Sequence, residues 1–117
     1  MYLLVAVLDK SSDLEKVIHK FSEIGVPGAT VIDSMGIGKN TLIASDAPVI
    51  ASLRRIFEKD MTVYNHMVLS VIDDKAVLDA AAAAVVEIVG GFDKPDTGIM
   101  FTIKLDQVYG FTEVEKN

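Results

Sequence analysis

Residues 1–8 read MYLLVAVL, and residues 11–25 read SSDLEKVIHKFSEIG. The first stretch has the length of a strand and is apolar on both of its alternating faces, so neither face can be left in contact with water. The second stretch predicts a helix that begins with a capping box at Ser12 to Glu15 and ends at Gly25. Its apolar residues recur at helical spacing: Leu14, Val17, Ile18, Phe21 and Ile24.

The rest of the chain continues this pattern of strands and helices. Strands are predicted at Ala29 to Met35, at Met61 to Ile72 and at Ile99 to Asp106, and a second long helix at Lys75 to Val89. A short amphipathic helix follows Pro48, between strands 2 and 3. This order predicts an α+β, ferredoxin-like βαββαβ fold, in which two helices cover one face of an antiparallel four-stranded sheet. The strands are apolar on the other face too, so we expect a second copy of the chain to cover it.

Composition limits the function classes. The chain has 117 residues without a linker or low-complexity segment, which predicts a single domain over residues 1–117. Half of the residues are hydrophobic and mean hydropathy is +0.38, which favours self-association. A net charge of −6 without any basic run argues against nucleic acid as a partner. The absence of cysteine excludes disulfides, thiol nucleophiles and cysteine-bound zinc.

The apolar opening is not a targeting signal. It lacks a basic flank, is followed by Asp9 and Lys10, and is too short to cross a bilayer. We therefore expect a cytoplasmic protein without direct membrane insertion.

A glycine-rich corner follows strand 2, in the sequence SMGIGKN at residues 34–40. It is not a Walker A loop, because Asp33 stands where the first glycine is required and Asn40 where the hydroxyl is required. It is not a dinucleotide fingerprint either, because Thr41 stands at the third glycine. What remains is a corner of Gly36, Ile37, Gly38 and Lys39 that either binds an anion or is a simple turn.

At this point the chain resembles the P-II nitrogen-regulatory family and the wider superfamily of P-II-like proteins. The resemblance covers nearly the whole length. It rests on the first strand, on IGVPGATV at residues 24–31, on MGIGK at 35–39, on the insert at about 39–60 in the place of the family's T-loop, and on TGIMFTIKLDQVYG at 97–110. It implies a homotrimer with inward-facing sheets, which binds an effector between subunits and regulates a partner such as an enzyme or a transporter.

The same resemblance implies ligand-binding residues. In that family ATP or ADP lies between subunits, held in part by a Gly-x-Gly-Arg corner, by a glycine-rich B-loop and by an Arg-x-Arg pair after the last strand. Carried over to this chain, the corner corresponds to Gly36 to Lys39 and the B-loop to Thr97 and Gly98.

Four cations of the family pattern are changed or missing. Lys39 replaces the arginine, Ile99 stands where a phosphate-binding lysine is usual, and Gly110 to Thr112 occupy the place of the arginine pair. Each lost charge-assisted contact forfeits about 1.5–3 kcal/mol, so we expect ATP to bind more weakly than in the nitrogen regulator. No tyrosine lies between Lys39 and Asp60, so the family's uridylylation site has no counterpart. The cofactor stays unknown, and a small anionic ligand, nucleotide or otherwise, is expected.

Several ionisable residues outside the glycine-rich corner have both a functional and a structural interpretation. Arg54 and Arg55 either contact a ligand or partner, since guanidinium groups suit carboxylates and phosphates, or form a solvated helix face. His66 is either a metal ligand or base, or a packed or interface histidine. Asp33 stands near a strand end, but its spacing fixes no acid–base partner.

The sequence thus predicts a non-catalytic P-II-like regulator, without assigned catalytic or metal-binding residues. Two alternatives stay open. One is a trimeric metal-binding protein of the CutA type, and the other is a small dimeric isomerase or oxygenase on the same fold.

Overall fold

The computed structural model describes residues 1–36, 63–94 and 97–111, with the main chain only at Gly36, Val63 and Tyr64. The predicted helical insert at 39–60 lies outside these residues. The elements of the described chain are β1 (Tyr2–Leu8), α1 (Ser11–Ile24), β2 (Thr30–Gly36), β3 (Val63–Ile72), α2 (Lys75–Val89) and β4 (Ile99–Lys104).

The four strands form one antiparallel sheet in the order β2-β3-β1-β4. β1 lies in the middle and pairs with β3 from Tyr2↔Ile72 to Leu8↔His66, and with β4 on its other side. β2 forms one edge, where Val31 pairs with Val68. This arrangement confirms the predicted ferredoxin-like α+β fold.

Both helices pack on one face of the sheet and enclose the core. Alternate residues of β1 point into it, and Leu4, Ala6 and Leu8 are fully buried. They meet α1 through Val17 and Phe21. The other buried apolar members of this cluster come from β3 and α2: Val68, Ile72, Leu78, Ala81 and Val85. Alanine side chains on α2 allow the helix to lie close to its neighbours.

The helix ends follow local chemistry, with one correction. α2 begins at Asp74, whose carboxylate accepts hydrogen bonds from the amides of Ala76 and Val77, and it ends at Gly90 in the left-handed conformation. The predicted capping box of α1 is wrong. Lys10 is the N-cap residue, and its carbonyl accepts the first helical amide, from Leu14, so the helix begins at Ser11. The Lys10 side chain makes no cap because an ammonium group cannot accept a hydrogen bond.

The other face of the sheet carries no helix among the described residues. Its side chains form three successive rows across the strands. The rows are Ile32, Met67, Val7 and Ile99, then Thr30, Leu69, Val5 and Phe101, then Val71, Leu3 and Ile103. Toward the β4 edge they are solvent-exposed, with Ile99 56% and Ile103 46% accessible. We call these apolar rows the open face.

Candidate functional site

The two glycine segments predicted to bind a ligand lie at the same end of the sheet but on opposite edges. Gly36 is the last residue of edge strand β2, and Gly98 directly precedes edge strand β4. Two strands lie between them, so their lateral separation is about 14 Å at roughly 4.8 Å per strand. Gly36 and Gly98 therefore do not border one continuous site within a single chain.

Gly98 is required by the local main chain. It adopts a left-handed conformation with φ of 92°, and a Cβ at this position would overlap the main-chain carbonyl of Val7. Next to it the hydroxyl of Thr97 donates a hydrogen bond to the carbonyl of Lys94 at 2.7 Å. The segment is thus a turn that packs closely against β1 and has no room for a side chain at Gly98.

The other predicted site residues lie outside the described residues. These are Ile37, Gly38 and Lys39 of the corner, and Arg54 and Arg55 of the insert. Their part in any site stays a prediction.

A groove of about 580 Å³ opens on the open face, at the end of the sheet where β2 begins. Leu3, Leu69 and Val71 form its floor. The loop before β2 lines it at residues 27–30, as do Gly110 and Phe111 of the segment after β4. None of these lining residues is charged. Sequence reasoning missed this groove as a site, although residues 27–30 belong to the stretch that carried the family resemblance.

A chain of polar side chains lies at the opposite end of the sheet. His66 of β3 contacts Asp33 of β2 through Nδ1, at 3.0 Å from Oδ1. Its Nε2 lies 3.0 Å from the hydroxyl oxygen of Ser11, the first residue of α1. We call these three residues the polar relay.

Sequence reasoning considered His66 and Asp33 separately and missed Ser11. Strand alternation places both of the first two on the helix-covered face, but their contact depends on the register Asp33↔His66. No sequence signal gives that register. Ser11 was missed because α1 begins two residues earlier than its capping pattern predicts, which makes Ser11 the first residue of the helix.

Metal and membrane features were also considered for the described residues. Within residues 1–36, 63–94 and 97–111, no group of three or more His, Asp or Glu side chains is arranged to hold a metal ion. No helix in that part of the chain is long and apolar enough to cross a bilayer.

Comparison with known proteins gives one positive result. Curated proteins yield no match. The family model described as nitrogen regulatory protein P-II matches residues 1–115, which is nearly the whole chain, and the observed fold is consistent with that family. The chain therefore belongs to the nitrogen regulatory protein P-II family.

Proposed function

We propose that this protein is a non-catalytic regulator of the cytoplasm, which assembles as a homotrimer, binds a small anionic ligand between subunits and controls a partner protein. P-II proteins are generally regulatory signal transducers, and they generally form trimers that bind effectors and partner proteins. The observation in this chain that carries the proposal is the open face.

The open face supports self-association because its apolar side chains on β4 remain accessible to solvent. Ile99, Phe101 and Ile103 are each about half accessible. Full burial of an isoleucine or phenylalanine side chain is worth about 1.5–3 kcal/mol, so covering the exposed half of each contributes roughly 1 kcal/mol. Inward-facing sheets in a trimer would remove this surface from water in all three subunits at once.

A trimer would also resolve the separation of the two glycine segments. In a closed ring, one edge of each subunit lies near the opposite edge of its neighbour. The corner of Gly36 to Lys39 in one subunit would then lie near Thr97 and Gly98 of the next. This juxtaposition would create a cleft between subunits out of segments that one chain holds about 14 Å apart.

The chemistry of these segments favours a small anion. Glycine lets main-chain amides approach a ligand closely, and Lys39 adds a positive charge. Arg54 and Arg55 would supply further cations for the ligand or for an acidic surface of the regulated partner. ATP would bind weakly, because the chain lacks the usual B-loop lysine and arginine pair.

A ligand screen tests the proposal. The full chain is examined by thermal denaturation with ATP, ADP, cyclic dinucleotides, bicarbonate and 2-oxoglutarate. We expect at least one anion to raise the melting temperature, and Lys39→Ala to abolish that rise. The control is Lys104→Ala, which removes the same charge from an exposed position of β4. Absence of a rise with all five, or an equal loss in both variants, would contradict the proposed site.

A further inference from the structure

The polar relay joins three elements that are distant in sequence. Ser11 comes from α1, His66 from β3 and Asp33 from β2, and the two contacts that link them are both 3.0 Å long. Nothing in the proposed regulatory function uses these side chains. Their order, hydroxyl to imidazole to carboxylate, is the arrangement that activates a serine for attack on a carbonyl group.

The contacts fix the proton positions when the imidazole of His66 is neutral. An ionised carboxylate only accepts hydrogen bonds, so the Asp33 contact places the ring proton on Nδ1, which donates. Nε2 then carries the lone pair and accepts the hydroxyl proton of Ser11. Asp33 is thus a positioning residue that orients the base toward the serine, although its side chain is 86% exposed.

We propose that Ser11 is an activated nucleophile, a site at which the protein accepts an acyl group from small activated esters. In the step, Ser11 Oγ forms a bond to the acyl carbon while its proton passes to His66 Nε2. The bond from the acyl carbon to the leaving oxygen then breaks, and the leaving group departs with the bonding electron pair. His66 releases the proton to that group or to water, which leaves a neutral imidazole and an O-acyl serine.

The surroundings of Ser11 fit this chemistry. Ser11 is exposed at the surface, and the side chain of His66 is 23% accessible, so a small ester can reach both groups. Each chain would be acylated once, without turnover. This inference does not depend on the proposed regulatory function, because that function uses none of the three relay residues.

The chain supplies its own controls. Ser12 is the next residue, is also exposed, and has no described contact with an imidazole. His19 is a second imidazole, 80% exposed, which contacts Glu23 and lies away from the relay. Reaction at Ser12 measures the background of an ordinary serine, and His19→Gln measures the contribution of an unrelated histidine.

The test treats the full chain with p-nitrophenyl acetate and measures acetylation of each serine by tandem mass spectrometry of its peptides. A positioned general base typically contributes about 10²–10⁴-fold. We therefore expect Ser11 to be acetylated about 100-fold faster than Ser12, and His66→Ala to remove that difference. Free imidazole should partly restore acetylation in His66→Ala, which a merely structural role of His66 would not produce.

Two further variants test the positioning residue. Asp33→Asn should slow the acetylation of Ser11, because an amide can donate to Nδ1 and favour the tautomer with its proton on Nε2. Asp33→Glu should retain part of the rate, and His19→Gln all of it. Equal labelling of Ser11 and Ser12, no labelling of Ser11, or an undiminished Ser11 rate in a folded His66→Ala protein would each overturn the proposal. The comparison of Ser11 with Ser12 in the unmodified chain tests whether Ser11 is activated even if a variant fails to fold.

Discussion

Introducing a charge on the open face should dissociate the proposed trimer while each subunit stays folded. Ile103 is 46% exposed in the single chain and pairs with Leu3 of the central strand. Covering the exposed part contributes roughly 1 kcal/mol, or about 3 kcal/mol per trimer. In Ile103→Asp that gain is lost, and three carboxylates must also be desolvated, at about 3 kcal/mol each.

The sum is about 12 kcal/mol per trimer, which corresponds to about eight to nine powers of ten in the trimer dissociation constant. Because that constant has units of concentration squared, the midpoint concentration of assembly should rise by roughly 10⁴-fold. Analytical ultracentrifugation over a dilution series from nanomolar to millimolar measures this midpoint, and circular dichroism confirms that the monomer is folded.

The matched control is Ile18→Asp. Ile18 is the same residue type with a similar exposure of 38%, but it lies on α1, in the helical layer. We expect this variant to assemble like the unmodified chain. Either of two results would show that the open face is not the trimer interface: Ile103→Asp keeps the original midpoint, or Ile18→Asp shifts it equally.

Two stability predictions follow from the loops and caps. Gly98→Ala should lower the free energy of unfolding by more than about 2 kcal/mol, because it combines left-handed backbone strain with overlap on the carbonyl of Val7. Gly25→Ala meets no atom within 4 Å at a similar φ of 97°, so urea denaturation should show a loss of only about 1–2 kcal/mol, and equal losses would exclude the overlap. Asp74→Ala removes the side-chain cap of α2 and should cost about 1 kcal/mol in the same assay, and an unchanged midpoint would show that the cap contributes nothing.

The fold was predictable because its signals are local. The second long helix has the predicted bounds, Lys75 and Val89, because Asp74 and Gly90 satisfy its end groups. The apolar open face was likewise predicted from strand alternation, since residues two apart share a face whatever their neighbours are. The predicted start of α1 was wrong because the main-chain helical bonds begin at the carbonyl of Lys10, two residues before the expected serine cap.

Contacts between distant segments were not predictable in the same way. In the polar relay, Asp33 and His66 are separated by 33 positions in the sequence, and Ser11 and His66 by 55 positions. Periodicity fixes which face of a strand a residue lies on, but it does not fix the register between strands. The groove beside residues 27–30 likewise depends on where the segment after β4 crosses the sheet. The ligand-binding role of Gly36 to Lys39, and of Thr97 and Gly98, stays a prediction.

The central claim is that the open face is buried by threefold assembly, and native mass spectrometry of the unmodified chain at micromolar concentration tests it most directly. We expect a single species with three times the chain mass of 12.6 kDa. A predominant species at the mass of one chain, or of two, would contradict it.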